Sequence, residues 1–297
     1  MSEKNDPHRP SLSILIKVRG TLPNLRPAEQ RVAELVLADP AGVSESSITT
    51  VARRCQTSET TVLRFCRAIG LGGYPDLRIA LARAALVEEA EQTSGQPTTG
   101  QIDPDDSLAD VVAKIAHADE RAVADTAAAL DLTALAQAVE AVAEARRIDI
   151  YGAAASGLVG ADLHHKLHRI GKISYAWSDP HLALTSAAVL QQGDVAVAIS
   201  HTGTTVDTVD TLRVAQQRGA TTIAITNFVG SPIAEWADIL LLTAARETTF
   251  RSGAMSSRIA QLALVDWLFA GVAQRSYDQT IKALASTYTV VRSRHGE

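Results

Sequence analysis

Apolar residues recur at two different spacings along the chain, and the change of spacing marks a change of fold. In the first 90 residues they recur every three or four positions, as at Val32, Leu35 and Val36, which predicts short helices. From Arg146 onward, short apolar runs bounded by turn residues alternate with helical segments. The pattern therefore predicts an all-α N-terminal domain followed by an α/β domain.

The N-terminal helices follow a helix-turn-helix pattern. A helix within 26–40 precedes a short helix from about residue 47 to 55. After a tight turn at 56–57, Ser58 is placed to cap a third helix that ends near Gly70. Two short helices, a brief turn and a helix with a polar N-terminal face are typical of DNA-binding domains.

The third helix has a polar side that suits the major groove of DNA. Its apolar residues Val62, Phe65 and Ile69 fall on the other face, where they would pack into the small domain. Serine and threonine hydroxyls can bond phosphates or base edges, and an arginine can bond guanine through two hydrogen bonds. The candidate DNA-binding residues are Ser58, Thr60, Thr61, Arg64 and Arg67. The alternative is a solvated helix face with ordinary capping residues.

The charge of the chain is uneven. The net charge is −5, from 28 Lys+Arg and 33 Asp+Glu. The segment 46–85 nevertheless holds six arginines against two acidic residues. A basic module attached to an acidic body fits a DNA-binding protein, whereas an evenly acidic chain would not.

The second half of the chain predicts a parallel sheet. Short strands are expected at 147–151, 173–176, 194–199, 221–226 and 238–242. Strand, crossover helix and strand require parallel pairing with right-handed connections. We therefore expect a three-layer α/β sandwich with a five-stranded parallel sheet.

The loop after the third strand is rich in hydroxyl groups and lies at the start of a helix, where free N–H groups and the helix dipole favour an anion. The candidate ligand residues in this loop are Ser200, Thr202, Gly203, Thr204 and Thr205. No Lys or Arg occurs at 194–212, so neutral donors would hold the anion, which fits a phosphate monoester bound reversibly. A dinucleotide site and a purely structural loop are the alternatives, although the P-loop and G-x-G-x-x-G patterns are both missing.

Length and composition suit two domains joined by a linker. The chain has 297 residues, 46% of them hydrophobic, which excludes a disordered protein. Residues 91–106 are polar and nearly free of apolar side chains, so we expect domains at 11–90 and 107–293 with a linker between them. No apolar run reaches the ~18 residues of a membrane span, and the opening lacks the apolar segment of a signal peptide. The sequence thus predicts a cytoplasmic protein without a membrane partner.

The cysteines and histidines do not indicate a metal or redox site. Cys55 and Cys66 lie on apolar helix faces, where a buried inert thiol is expected in preference to a redox switch. His164 and His168 are four residues apart on one helix face, but no third ligand is evident. We expect neither a metal nor a cofactor.

The N-terminal motif resembles the DNA-binding domain of RpiR-family bacterial transcriptional regulators, which join a helix-turn-helix domain to a sugar-isomerase (SIS) domain. The resemblance lies in Ile48-Thr49-Thr50-Val51-Ala52, in Ser58-Glu59-Thr60-Thr61-Val62-Leu63-Arg64-Phe65-Cys66-Arg67 and in Gly70-Leu71-Gly72-Gly73-Tyr74.

The second half carries runs that are similar to SIS motifs. Residues 199–205 resemble the S-x-S-G-x-T phosphate loop, with Thr202 in place of the usual second serine. Residues 152–156 resemble the first SIS loop, whose serine, here Ser156, contacts the sugar. Ala154 stands where a second glycine is common.

Two functions are compatible with this resemblance. The first is a transcriptional regulator, a homodimer or homotetramer without catalytic residues, in which a phosphorylated sugar changes the affinity for a double-stranded DNA operator. The segment 247–258 resembles the part of SIS isomerases that keeps a functional glutamate, which makes Glu247 a further candidate ligand residue. The alternative is an aldose–ketose sugar-phosphate isomerase or related lyase, with Glu247 and His201 as candidate bases.

Overall fold

The chain forms two compact units, Met1–Gly100 and Gln101–Glu297. The computed structural model describes residues 14–22, 25–93, 101–247 and 255–292. The predicted order of a helical unit followed by an α/β unit is confirmed. The boundaries of the predicted linker stay a prediction, although its first three residues, 91–93, continue a helix.

The described part of the N-terminal unit consists of helices. They are α1 (Ile14–Thr21), α2 (Pro27–Ala38), α3 (Pro40–Glu45), α4 (Ile48–Arg54), α5 (Glu59–Ala68) and α6 (Tyr74–Thr93). The helix-turn-helix pair α4 and α5 is confirmed, and each helix begins at a serine cap. Ser47 Oγ accepts a hydrogen bond from Thr50 N, and Ser58 Oγ accepts one from Thr61 N, both at 3.2 Å. Helix α3 was not predicted, because its six residues are too few to show a helical period of apolar positions.

One apolar cluster holds these helices together. Val62 and Phe65 of α5 are fully buried, together with Val32 of α2. Cys55 and Cys66 lie in the same cluster as free, buried thiols, as the sequence predicted. Burial raises the pKa of the Cys66 thiol to about 11, which keeps it protonated and unreactive at neutral pH.

The C-terminal unit is built on a five-stranded parallel sheet, as predicted. The strands are β1 (Arg147–Gly152), β2 (Ser174–Trp177), β3 (Asp194–Ile199), β4 (Thr221–Thr226) and β5 (Ile239–Leu242), in the order β2-β1-β3-β4-β5. The helices are α7 (Leu108–Ala129), α8 (Leu132–Glu144), α9 (Ala154–Arg169), α10 (Pro180–Ala187), α11 (Val206–Gln217), α12 (Ser256–Arg275) and α13 (Tyr277–Arg292). A 3-10 helix covers Pro232–Trp236.

Helices cover both faces of this sheet, which gives the predicted three layers. Val142 of α8, Leu163 of α9 and Leu264 of α12 are fully buried in one cluster against the sheet. Ala187 of α10 and Leu212 of α11 are buried in a second cluster on the other face.

The sheet topology decides where the loops meet. From β1 the chain passes to β2 on one side, and it later returns to β3 on the other side, so the strand order reverses between β1 and β3. The last residues of these neighbouring strands, Gly152 and Ile199, are paired in register. The loops that follow β1 and β3 therefore begin side by side at the carboxyl edge of the sheet, the usual place for a ligand in such folds.

A buried carboxylate links β1 to β2 and α10. Asp149 is fully buried and accepts hydrogen bonds from Arg147 Nε at 2.7 Å and from Trp177 Nε1 at 3.0 Å. Ser186 Oγ of α10 also donates to it. This network lies beneath the carboxyl edge and holds the strand that carries the first loop.

Among the described residues, no single helix has the length and apolar character needed to cross a membrane. Helices α7 and α8 meet that test of length and composition only as a pair bent by 90°.

Candidate functional site

The hydroxyl-rich loop after β3 is folded by its own side chains. Ser200 Oγ accepts a hydrogen bond from Gly203 N at 3.1 Å and lies 3.2 Å from Thr205 Oγ1. Thr204 Oγ1 lies 2.9 Å from Thr202 Oγ1 and donates to it. The structure thus gathers all five predicted loop residues into one turn ahead of α11.

Gly203 is the position in this loop where the backbone requires glycine. Its φ of +65° lies in the left-handed region, and a Cβ there would overlap the side chain of Ser231. The Gly203 carbonyl accepts a hydrogen bond from Ile233 N at 3.0 Å. The loop is therefore anchored on the 3-10 helix.

The start of α11 has the properties of an anion site. Its N-cap residue, Thr205, makes no side-chain capping bond among the described residues. Backbone N–H groups in the first turn are thus left for a ligand, and the helix dipole favours a negative one. No Lys or Arg occurs at 194–212 and the acidic Asp207 lies in the first turn, so within this segment only neutral N–H and hydroxyl donors could hold an anion.

The loop after β1 places a second hydroxyl at the same edge. Gly152 lies so close to the next turn that a Cβ would come within 2.8 Å of the Ser156 carbonyl oxygen. Ala154 adopts a φ of +48°, a conformation that costs a residue with a Cβ ~1–2 kcal/mol. Glycine is the usual residue for such a turn, and strain of this kind tends to lie near functional loops.

Four buried polar atoms near these loops have no hydrogen-bond partner among the described residues. They are His201 Nδ1, Glu247 Oε2, Ser257 Oγ and Gln261 Nε2. Two hydrogen bonds join pairs of these residues and their neighbours: Ser156 Oγ donates to Gln261 Oε1 at 3.2 Å, and Ser257 N donates to Glu247 Oε1 at 2.7 Å. Buried polar groups are nearly always paired, so these four atoms make this a candidate ligand site.

Ser156 and Glu247 are among the candidate residues that the sequence predicted, whereas Ser257 and Gln261 are candidates that only the structure adds. These two residues lie one turn apart on α12 and are almost fully buried. The sequence could have revealed them, because they are polar residues at positions where the helical period of α12 predicts buried apolar ones. We use the name polar pocket for the set of five side chains Ser156, His201, Glu247, Ser257 and Gln261, which is defined by these contacts and unpaired atoms.

His201 is uncharged at neutral pH. Burial lowers its pKa, and the nearby Glu247 carboxylate opposes this effect only in part. The ring packs edge-on against Phe228, and the His201 carbonyl accepts hydrogen bonds from Asn227 N and Thr226 Oγ1. The imidazole therefore offers one neutral donor or acceptor to the polar pocket.

The two other histidines singled out in the sequence do not meet a third ligand in the part of the chain that is described, where no group of three metal-ligating side chains occurs. His164 Nδ1 lies 2.9 Å from Ser174 Oγ, and burial lowers the pKa of His164.

The candidate DNA-binding residues on α5 do not all face solvent. Ser58, Thr60, Arg64 and Arg67 are exposed, whereas Thr61 is only 5% exposed. The Thr61 hydroxyl lies 3.0 Å from Ser58 Oγ at the helix start. Thr61 follows Ser58 by three residues and precedes Phe65 by four, so it turns toward the buried side of the helix.

The two arginines on the exposed side of α5 differ in their surroundings. Arg64 Nε lies 3.4 Å from Oε1 of Glu29, whose side chain is largely buried. Arg67 makes no ion pair within the described ranges. Arg64 is thus held by the neighbouring helix α2, whereas the exposed Arg67 is not.

Comparisons with known proteins cover both units. Residues 12–86 match the family model of the helix-turn-helix domain, rpiR family, and residues 141–271 match that of the SIS domain. An HTH-type transcriptional regulator of Caldanaerobacter subterraneus is 41% identical over 281 residues, covering 95% of this chain and 98% of the relative. Another, of Haemophilus influenzae, is 30% identical over 279 residues, covering 94% and 96%.

Two solved structures are also similar to this chain. The Vibrio vulnificus NanR protein complexed with ManNAc-6P is 31% identical, with a TM-score of 0.61. The match covers 96% of this chain and 100% of the NanR chain. The sugar isomerase domain of an RpiR transcription factor from Sphaerobacter thermophilus is 25% identical, with a TM-score of 0.55, over 59% of this chain and 97% of its own. The chain therefore belongs to the rpiR family of HTH-type transcriptional regulators, with an N-terminal helix-turn-helix domain and a C-terminal SIS domain.

Proposed function

We propose that the SIS domain binds a phosphorylated sugar as an effector, and that its occupancy changes the affinity of the helix-turn-helix domain for a double-stranded DNA operator. The phosphate binds at the turn 200–205 and the first N–H groups of α11, and the sugar hydroxyls bind in the polar pocket. A coupling of ~1–3 kcal/mol, or roughly 5–150-fold in DNA affinity, is the usual size of such an effect.

The observation that carries this proposal is the set of unpaired buried atoms beside a neutral anion site. A sugar hydroxyl both donates and accepts, so it can satisfy the Glu247 carboxylate oxygen as well as the Gln261 amide N–H. An apolar ligand or a bare inorganic ion would leave these atoms unpaired.

The relatives favour a hexosamine phosphate as the first compound to test. NanR of Vibrio vulnificus, 31% identical over nearly the whole chain, was solved with ManNAc-6P. This chain has Thr202 where the phosphate loop usually has a serine, so a hydroxyl is kept at that position.

We infer binding without turnover, in the cytoplasm, by a homodimer or homotetramer. The full-length relatives are named as transcriptional regulators, and a helix-turn-helix domain has no role in an isomerase. One Glu247 carboxylate oxygen is held by Ser257 N, which leaves the other to bind a hydroxyl. A two-fold assembly matches the palindromic operators that such domains commonly bind.

A thermal-shift screen with the full chain tests the effector. N-acetylmannosamine 6-phosphate, glucosamine 6-phosphate and fructose 6-phosphate are compared with their unphosphorylated sugars. A compound at 100 times its dissociation constant is expected to stabilise the SIS unit by ~2.7 kcal/mol. Interconversion of sugar phosphates at enzymatic rates by protein that ignores DNA would establish the isomerase instead.

Ser200→Ala is expected to weaken sugar-phosphate binding by about tenfold or more, because a hydrogen bond to a charged group contributes ~1.5–3 kcal/mol. The fold should persist, since Gly203 N also bonds the Ser200 carbonyl at 3.1 Å. Titration calorimetry with the screened phosphates measures the change. Ser286→Ala, an exposed hydroxyl on α13, is the control. Unchanged affinity in Ser200→Ala would place the phosphate elsewhere.

Arg64→Ala is expected to weaken binding to selected DNA sites by ~1–3 kcal/mol and to relax base preference at one position. Sites are selected from random double-stranded DNA with the full chain, and affinity is measured by fluorescence anisotropy. Arg218→Ala, an exposed arginine of the SIS unit, is the control. If Arg64→Ala binds the same sites with the same affinity, this arginine has no part in readout.

A further inference from the structure

Helix α7 is hydrogen-bonded at two points to chain segments that carry residues of the polar pocket. Thr126 Oγ1 accepts a hydrogen bond from Ala244 N at 3.1 Å, just after β5. About two turns earlier, Asp119 Oδ1 accepts a hydrogen bond from Ser256 Oγ at 3.2 Å, at the start of α12. Thr126 is fully buried, so its hydrogen bond to Ala244 lies in the interior of the unit.

These attachment points lie within three residues of polar-pocket residues in the chain. Ser256 precedes Ser257, whose hydroxyl is one of the unpaired buried atoms. Arg246 precedes Glu247, and Arg246 Nη2 lies 3.8 Å from Asp125 Oδ2 of α7. A ligand that bonds to Glu247 Oε2 and Ser257 Oγ therefore acts on chain segments that are also bonded to α7.

The phosphate loop reaches the same backbone through Asn227. Its backbone N–H donates to the His201 carbonyl at 3.0 Å. Its side-chain Oδ1 accepts a hydrogen bond from Ala245 N at 2.8 Å. Both halves of the proposed effector site thus act on the residues 244–246.

The contact surface between these elements is small and closely packed. A separate buried cluster consists of three alanines: Ala122 of α7, Ala260 of α12, and Ala245, which follows β5. Methyl groups leave no long side chain to absorb a displacement by changing rotamer, so a shift of 244–246 is passed to the helix as a rigid movement.

Helix α7 is also the first helix of the SIS unit after the segment that comes from the DNA-binding unit. We infer that α7 is the output element of the effector site, and that Thr126 and Asp119 are the residues through which sugar-phosphate binding alters DNA affinity. This inference rests on the function proposed above and adds its route of regulation.

The matched pair Thr126→Val and Thr126→Ser tests the route. Valine keeps the shape of threonine without its hydroxyl, whereas serine keeps the hydroxyl. Each full-length variant is titrated with N-acetylmannosamine 6-phosphate and with inorganic phosphate, and then with selected DNA in the absence and presence of each. Wild type and Thr126→Ser are expected to change DNA affinity by about 5-fold or more on binding the sugar phosphate. Thr126→Val is expected to bind the sugar phosphate as wild type does, with a DNA response below about 2-fold.

Asp119→Ala offers a second test should Thr126→Val fail to fold, with the exposed neighbour Glu120→Ala as its control. It is expected to lose the response while binding the sugar phosphate. A wild-type response in both Thr126→Val and Asp119→Ala would overturn the inference and leave the proposed function standing. A wild-type chain whose DNA affinity responds to neither compound would overturn both.

Discussion

Gly203→Ala is expected to lower the free energy of unfolding of the SIS unit by ~2–5 kcal/mol and to abolish the response to sugar phosphates. A left-handed conformation costs a residue with a Cβ ~1–2 kcal/mol. Overpacking adds ~1–3 kcal/mol, because the new Cβ would overlap Ser231 and lie 2.9 Å from Thr226 Oγ1. The loop can relieve this overlap only by leaving the 3-10 helix, which would disperse the hydroxyls of the anion site.

Urea denaturation and thermal shift with N-acetylmannosamine 6-phosphate measure the two effects. Gly193→Ala is the matched control, since its φ of +88° is also left-handed but a Cβ there would meet no atom within 4 Å. This control should show the backbone cost alone, with the sugar-phosphate response intact. If Gly203→Ala is no less stable than Gly193→Ala, the approach to Ser231 does not determine the loop conformation.

Asp149→Ala is expected to destabilise the SIS unit by ~3–5 kcal/mol, the cost typical of removing one partner of a buried ion pair. Asp149 is fully buried, while the side chain of its partner Arg147 is 24% exposed. Without the carboxylate, the guanidinium loses its counter-charge and the Trp177 N–H loses its acceptor. Strand β1 would then hold the first loop less firmly.

Chemical denaturation of Asp149→Ala is compared with that of Asp210→Ala. Asp210 forms an exposed ion pair with Arg213 at 2.9 Å, so its removal should cost ~1 kcal/mol or less. Asp149→Asn, which keeps the shape and loses the charge, should fall between them. Equal losses in Asp149→Ala and Asp210→Ala would show that the buried network contributes little to stability.

Much of the fold follows from local sequence. The caps Ser47 and Ser58 act within three residues of themselves, so the helix-turn-helix pair could be located from the sequence alone. The short apolar runs located all five strands to within a residue or two at each end. The alternation of these strands with helices also predicted that they pair in parallel. The hydroxyl-rich loop after β3 could be located in the same way, because its hydroxyl residues and Gly203 lie within residues 200–205.

Contacts between distant parts of the chain decided the rest. Ser156 and Gln261 are 105 positions apart and meet only because α9 and α12 pack on one face of the sheet. The burial of Thr61 likewise depends on how α5 packs against its neighbours in the small unit.

The sequence by itself determined the two units, the order of their elements and the residues of each loop, because caps, turns and hydrophobic period act over a few residues. The tertiary structure alone decided that Gln261 meets Ser156, that Ser257 meets Glu247, and that α7 is bonded to Ala244 and Ser256. Those relations depend on strand order and helix packing, and no local pattern encodes a distance between residues a hundred positions apart.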